Sequence, residues 1–205
     1  IDALTLAGSF TVDTQSSTAF GGAGSGSGNK VTAEIVAAID PSTVTAGGDV
    51  SVTATDASSI TADAASAALV IATGGGSGSM TTIAAGAAAA TNDIVSSARA
   101  AIEDTTLTAG GEVTLSAAST SSISALTLGI AGALGVGGSG GTTTLAGAGS
   151  GSGNTVTNTV EAVVRNSTVN AAGPLSLTAT DDTTISAVAG AVNVTVGVSS
   201  GDNVG

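Results

Sequence analysis

The chain repeats itself every 62–63 residues, so any fold for it must give equivalent residues equivalent surroundings. TAGGDVSVTATDASSITA begins at Thr45, TAGGEVTLSAASTSSISA at Thr108 and NAAGPLSLTATDDTTISA at Asn170. Ile60, Ile123 and Ile185 align, at spacings of 63 and 62. The opening IDALTL matches ISALTL from Ile123, which puts Ile1 in the same position. A second block agrees. GAGSGSGN ends at Asn29 and again at Asn154, with an Ala-rich copy ending at Asn92. The units run 1–41 (partial), 42–104, 105–166 and 167–205 (partial), as a single continuous array over 1–205. Both ends fall inside a unit, so the chain reads as a piece of something longer.

Within a unit the apolar spacing is two. Val50 and Val52 become Val113 and Leu115, then Leu175 and Leu177. Val31, Ala33, Ile35, Ala37 and Ile39 alternate with mostly polar or small residues, as do their counterparts from Ile94 and Val156. Period two puts one set on one face of a strand, and the Thr and Val content suits strands. Gly47-Gly48, Gly110-Gly111 and the Gly-Ser runs read as turns between them. The Ala84–Ala90 run has helix propensity, but its place in the repeat favours strand or loop.

The expected fold is all-β, a parallel β-helix (β-solenoid), right-handed. Coils of about 20 residues would make each unit roughly three coils and the whole chain about ten, spanning about 50 Å. Charge favours the same count. Asp40, Glu103 and Arg165 are equivalent, and one coil per unit would stack Asp40 against Glu103. An apolar part made mostly of Ala, Val, Ile and Leu, with two Phe and no Trp or Tyr, predicts a thin core between closely facing strands.

Composition excludes much. Net charge is −12, with only Lys30, Arg99 and Arg165 basic, so nucleic acid is not an expected partner. No apolar run reaches the roughly 18 residues of a membrane helix. There is no Cys or His, which removes disulfides, thiolate metal sites and most acid–base or nucleophilic chemistry.

The run N-x-V/I … A-x-I-x-x-S/T-x-V/L-x-A-G-G-x-V-x-V/L-x-A … S-I-x-A, seen from Asn92 to Ala125 and in variants from Asn29 and Asn154, resembles the repeats of giant bacterial filamentous-adhesin or filamentous-haemagglutinin-like exoproteins. The resemblance covers nearly the whole chain. It implies export, an extracellular or cell-surface address and a β-solenoid, and it brings no catalytic motif. The bulky aromatic often found in the strand ending at Ile39, Ile102 and Val164 is missing here.

No catalytic, cofactor-binding or metal site is expected. Asp181-Asp182 and Glu103-Asp104 are the carboxylate pairs a polysaccharide-active β-helix enzyme could use, but neighbours on a strand face opposite ways. Calcium could sit between coils on scattered Asp, although Gly47-Gly48-Asp49 lacks the rest of a calcium nonapeptide. GAGSGSG and Gly74 to Thr82 imitate phosphate-binding spacings without their Lys or their strand–helix setting, and read as turns or close-packed strand segments. Asn166-Ser167-Thr168 and Asn193-Val194-Thr195 fit a glycosylation sequence that chance supplies in a Thr-rich chain. Thr43 with Thr45, and Thr53 with Thr55, begin imperfect Thr-x-Thr rows of the kind an ice-binding solenoid uses, interrupted by intervening coils.

The expected function is therefore structural or adhesive: the shaft of a bacterial surface fibre, in adhesion, matrix or cell–cell contact. The expected partners are adjoining repeats or head-to-tail copies, with a host or cell-surface receptor met outside this chain.

Overall fold

The computed structural model describes residues 1–74 and 77–199. Among them are thirteen strands and no helix, so none is long and apolar enough to cross a membrane. The first coil comprises β1 (Asp2–Asp13), β2 (Thr18–Ile39), β3 (Thr43–Ala46) and β4 (Val50–Asp56). The second comprises β5 (Ser59–Thr73), β6 (Met80–Glu103), β7 (Thr106–Ala109) and β8 (Val113–Ser119). The third comprises β9 (Ser122–Gly137), β10 (Thr142–Arg165), β11 (Thr168–Ala171) and β12 (Leu175–Asp181), and β13 (Thr184–Ser199) starts a fourth.

Equivalent strands stack in parallel. Sheet A has the order β1-β5-β9-β13, and sheets B, C and D hold β2-β6-β10, β3-β7-β11 and β4-β8-β12. Val50 pairs with Val113, and Val113 with Leu175, in one file. The chain is a parallel β-solenoid, as its periodicity predicts.

The coil count needs correction. Register partners lie one whole unit apart, so each 62–63-residue repeat is one coil, not roughly three, and the chain forms just over three coils, not ten. The error came from the Gly-Ser runs. Gly22–Gly28 and Gly147–Gly153 lie inside β2 and β10, which run unbroken for 22 and 24 residues. The Ala84–Ala90 run is likewise strand, inside β6. At about 3.3 Å per residue the longest strands reach about 80 Å, whereas four layers rise only about 14 Å. The molecule is a broad plate, wider than it is tall.

Sheet B crosses the full width. Sheet C turns the corner, and sheets D and A return over the inner face of sheet B. The corner from B to C uses Asp104 and Asn166 at φ +47° and +49°, a left-handed conformation these two residue types tolerate. The true turns at Gly47-Gly48 and Gly110-Gly111 join C to D.

Three apolar clusters fill the space between the layers. Ile102, Leu107, Val113 and Leu115 fill the wide, three-sided end. Ile60, Ile94 and Ile123 fill the middle, and Val70, Met80 and several Ala the far end. Burial within a file depends on neighbours on both sides. Val113 is fully buried at 0% exposure, whereas Leu175, next in its file, is 47% exposed.

Between the middle and the far end the layers nearly touch. A Cβ on Gly86 would strike the backbone carbonyl of Ile130, and one on Gly129 that of Gly149. Only side chains as small as Ala, Ser or Thr fit nearby. The hydroxyls of Ser66 and Thr127 are buried there without hydrogen-bond partners, as is that of Thr82 at the far end. An orphaned buried hydroxyl costs about 1–3 kcal/mol. Thr127→Val, which keeps the shape and removes the hydroxyl, is therefore expected to raise the denaturant midpoint, as equilibrium unfolding would show.

Candidate interaction surfaces and buried ladders

One coil per repeat brings equivalent polar residues into contact along the axis. Asn29 Nδ2 donates to Asn92 Oδ1 at 2.9 Å, and Asn92 Nδ2 to Asn154 Oδ1 at 2.8 Å, forming an inward Asn ladder. Asn92 is buried. The recurring Asn marks the repeat in the sequence, but its partner is set by the coil size. A second network surrounds buried Asp56, which accepts from Ser58 Oγ at 2.7 Å and Ser121 Oγ at 3.0 Å. Ser121 lies against Ser119, whose hydroxyl accepts from Asn158 Nδ2 at 3.1 Å. Asn158 also donates to Asp181 and Thr183, and it accepts from Ser96. In this file Asp56, Ser119 and Asp181 alternate, so the two carboxylates are never on adjacent strands.

All three basic residues bridge coils. Lys30 pairs with Asp93 at 3.0 Å, Arg99 with Glu161 at 3.3 Å and Arg165 with Glu103 at 3.1 Å. Arg99 also holds Glu103 within its own strand at 2.6 Å. The charge argument for a multi-coil unit fails here. Glu103 is neutralised by two guanidinium groups, so Asp40 at the equivalent position is tolerated. Such exposed pairs fix register more than they add stability.

These contacts set a pH dependence. Arg99, with help from Arg165, holds the Glu103 carboxyl below its ordinary range. Burial opposes ionisation of Asp56, but the hydroxyls around it outweigh that effect and its pKa is lowered as well. A carboxyl lowered on folding contributes stability above its unfolded pKa of about 4 and loses it as pH falls through the folded value. The urea midpoint is therefore expected to hold from neutral pH to about 5 and to drop below about 4. Asp56→Asn should lower the neutral value and flatten the acid limb.

The outward faces differ in chemistry. Sheets C and D carry hydroxyls: Thr43, Thr106 and Thr168 form one exposed row, with Thr45, Thr108 and Asn170 beside it. The middle of sheet B shows almost no side chain beyond Gly and Ala, at Gly22–Gly28 in β2, Ala85–Ala89 in β6 and Gly147–Gly153 in β10. Sheet A is apolar outside as well as inside, with Leu6, Phe10 and Val194 each more than half exposed. Sequence reasoning missed this last face. Its signal was present: in Leu126-Thr127-Leu128-Gly129-Ile130 the large aliphatics occupy the phase opposite to the inward Ile123 and Ala125.

The remaining candidate residues are dispersed. Asp181 is bonded to Asn158 and Thr183, Glu103 sits between two Arg, and Asp104 lies in the corner turn. Among the described residues no three Asp or Glu converge as a metal would require. The phosphate-loop imitation Gly74 to Thr82 has Gly75-Gly76 outside the described residues, and Met80–Thr82 begin β6. Asn166 is exposed in the corner turn, whereas Asn193 lies on the edge strand β13. No family model, no curated protein and no solved structure matches the chain.

Proposed function

We propose that this chain is a structural repeat module of a long extracellular or cell-surface fibre, whose coils continue by stacking on adjoining repeats or on head-to-tail copies. One observation carries the reading. Equivalent residues of successive repeats stack in one parallel file and bury one another: Ile60, Ile123 and Ile185 are register partners, and Ile123 between them is 1% exposed. Each further coil in register would repeat that burial and extend the hydrogen-bond ladder, as in other solenoids. The width supports a ribbon more than a thin spacer, because 62 residues add only about 4.8 Å of length. Adhesion, matrix or cell–cell contact would use the broad faces, with any receptor engaged outside this chain. Electron microscopy and fibre diffraction test the reading. The expected result is a ribbon with an axial repeat near 4.8 Å. Plates that never lengthen with concentration, and that cleave polysaccharide, would overturn it.

A second reading, an ice-binding face, gains from the corrected coil size. The Thr43-Thr106-Thr168 row and its neighbour are on adjacent strands, about 4.8 Å apart, with no intervening coil. Thermal hysteresis lost in Thr106→Lys would support it, and no hysteresis in the unaltered chain would exclude it.

A further inference from the structure

We propose that the outward face of sheet A is a pairing surface, on which two copies of this chain pack face to face. The face is continuous over four strands. Leu6 and Phe10 on β1, Leu69 on β5, Ile130 on β9 and Val192 and Val194 on β13 are 71%, 66%, 42%, 38%, 49% and 56% exposed. Single exposed aliphatics are ordinary, but a contiguous apolar field of this size is not. Strands apolar on both faces are typical of parallel sheets covered on both sides, and here only the inner side meets sheet B.

Area and charge indicate the occupant. Four strands at about 4.8 Å and some eleven residues at about 3.3 Å give roughly 700 Å², close to the ~800 Å² each partner contributes to a standard interface. Each added coil enlarges it. Among the described outward positions the charged residues are Asp63 and, at the margin of the field, Asp2. A lipid surface fits less well. Interfacial binding to anionic bilayers uses basic residues, and this chain carries −12 with all three of its cations held in ion pairs on sheet B. A two-fold copy needs no complementary charge. It sets the same aliphatic rows against each other at the ~10 Å spacing of packed sheets. The pairing thickens the assembly and leaves its length unchanged, so it stands or falls separately from the shaft reading.

The test measures thickness by small-angle scattering and electron microscopy of the full chain. The expected particle is four sheets thick. Ile130→Glu with Val192→Glu, neighbours on adjacent strands, should weaken pairing by about a hundredfold or more and leave two-sheet particles, because buried unpaired carboxylates are costly. Ala87→Glu, on the outward face of sheet B, should leave the thickness unchanged. As the chain has no Cys, Ile130→Cys and Ala87→Cys can each carry one spin label. The Ile130 label should report a defined distance between copies, shorter than that from Ala87. Two-sheet particles in the unaltered chain overturn the proposal. So do equal losses from Ala87→Glu, or capture by phosphatidylcholine vesicles in place of pairing.

Discussion

Gly129→Val is expected to destabilise the fold by more than about 3 kcal/mol, and Gly86→Val to do the same. At both positions the first added atom would meet a main-chain carbonyl of the opposite sheet, that of Gly149 or of Ile130. A flexible side chain could move aside, but a strand hydrogen-bonded to its neighbours cannot shift without moving the sheet. Overpacking a well-filled core costs about 1–3 kcal/mol where side chains give way. Here the backbone must yield, so Gly→Ala should already reach the upper end of that range and Gly→Val should exceed it. That is a large share of the roughly 5–15 kcal/mol by which domains are stable at all. Gly26→Ala and Gly151→Ala provide the control. They lie on the outward face with nothing within 4 Å of the added atom. Removing glycine from a strand there should gain about 0.5–1 kcal/mol, since the unfolded chain loses freedom. Circular dichroism with urea titration would separate the two groups. Equal behaviour of all four would mean the layers are not in contact at the waist.

Leu115→Ala is expected to cost about 3 kcal/mol, whereas Leu177→Ala, one coil further along the same file, should cost well under 1 kcal/mol. Leu115 is completely buried between β4 and β12, while Leu177 is 44% exposed on the last coil. Chemistry and local sequence are nearly the same at the two sites, so the difference isolates what stacking contributes. If copies assemble head to tail, Leu177 gains a neighbour. The Leu177→Ala penalty should then rise with protein concentration towards that of Leu115→Ala. A penalty unchanged from dilute to concentrated solution would count against axial assembly.

The alternation of Val50 with Val52, and of the residues from Val31 to Ile39, revealed strands and their inward phase, because period two is a property of local backbone geometry. The tandem copies revealed that those strands stack in parallel files, because repeated sequence favours repeated surroundings. Coil size was not legible. Gly and Ser in GAGSGSG are turn formers by local preference, whereas in the fold they pair with β6 in parallel register and stay extended in mid-strand. The partners Lys30–Asp93 and Arg165–Glu103 were hidden for the same reason, since they depend on which residues lie one coil apart.

Sequence by itself thus determined the strand type, the inward face and the solenoid, all of which follow from spacing along one chain. Tertiary structure alone decided the breadth of the coil and the closeness of the layers at Gly86 and Gly129. Those depend on distances between segments dozens of residues apart, and local preference carries no measure of such distances.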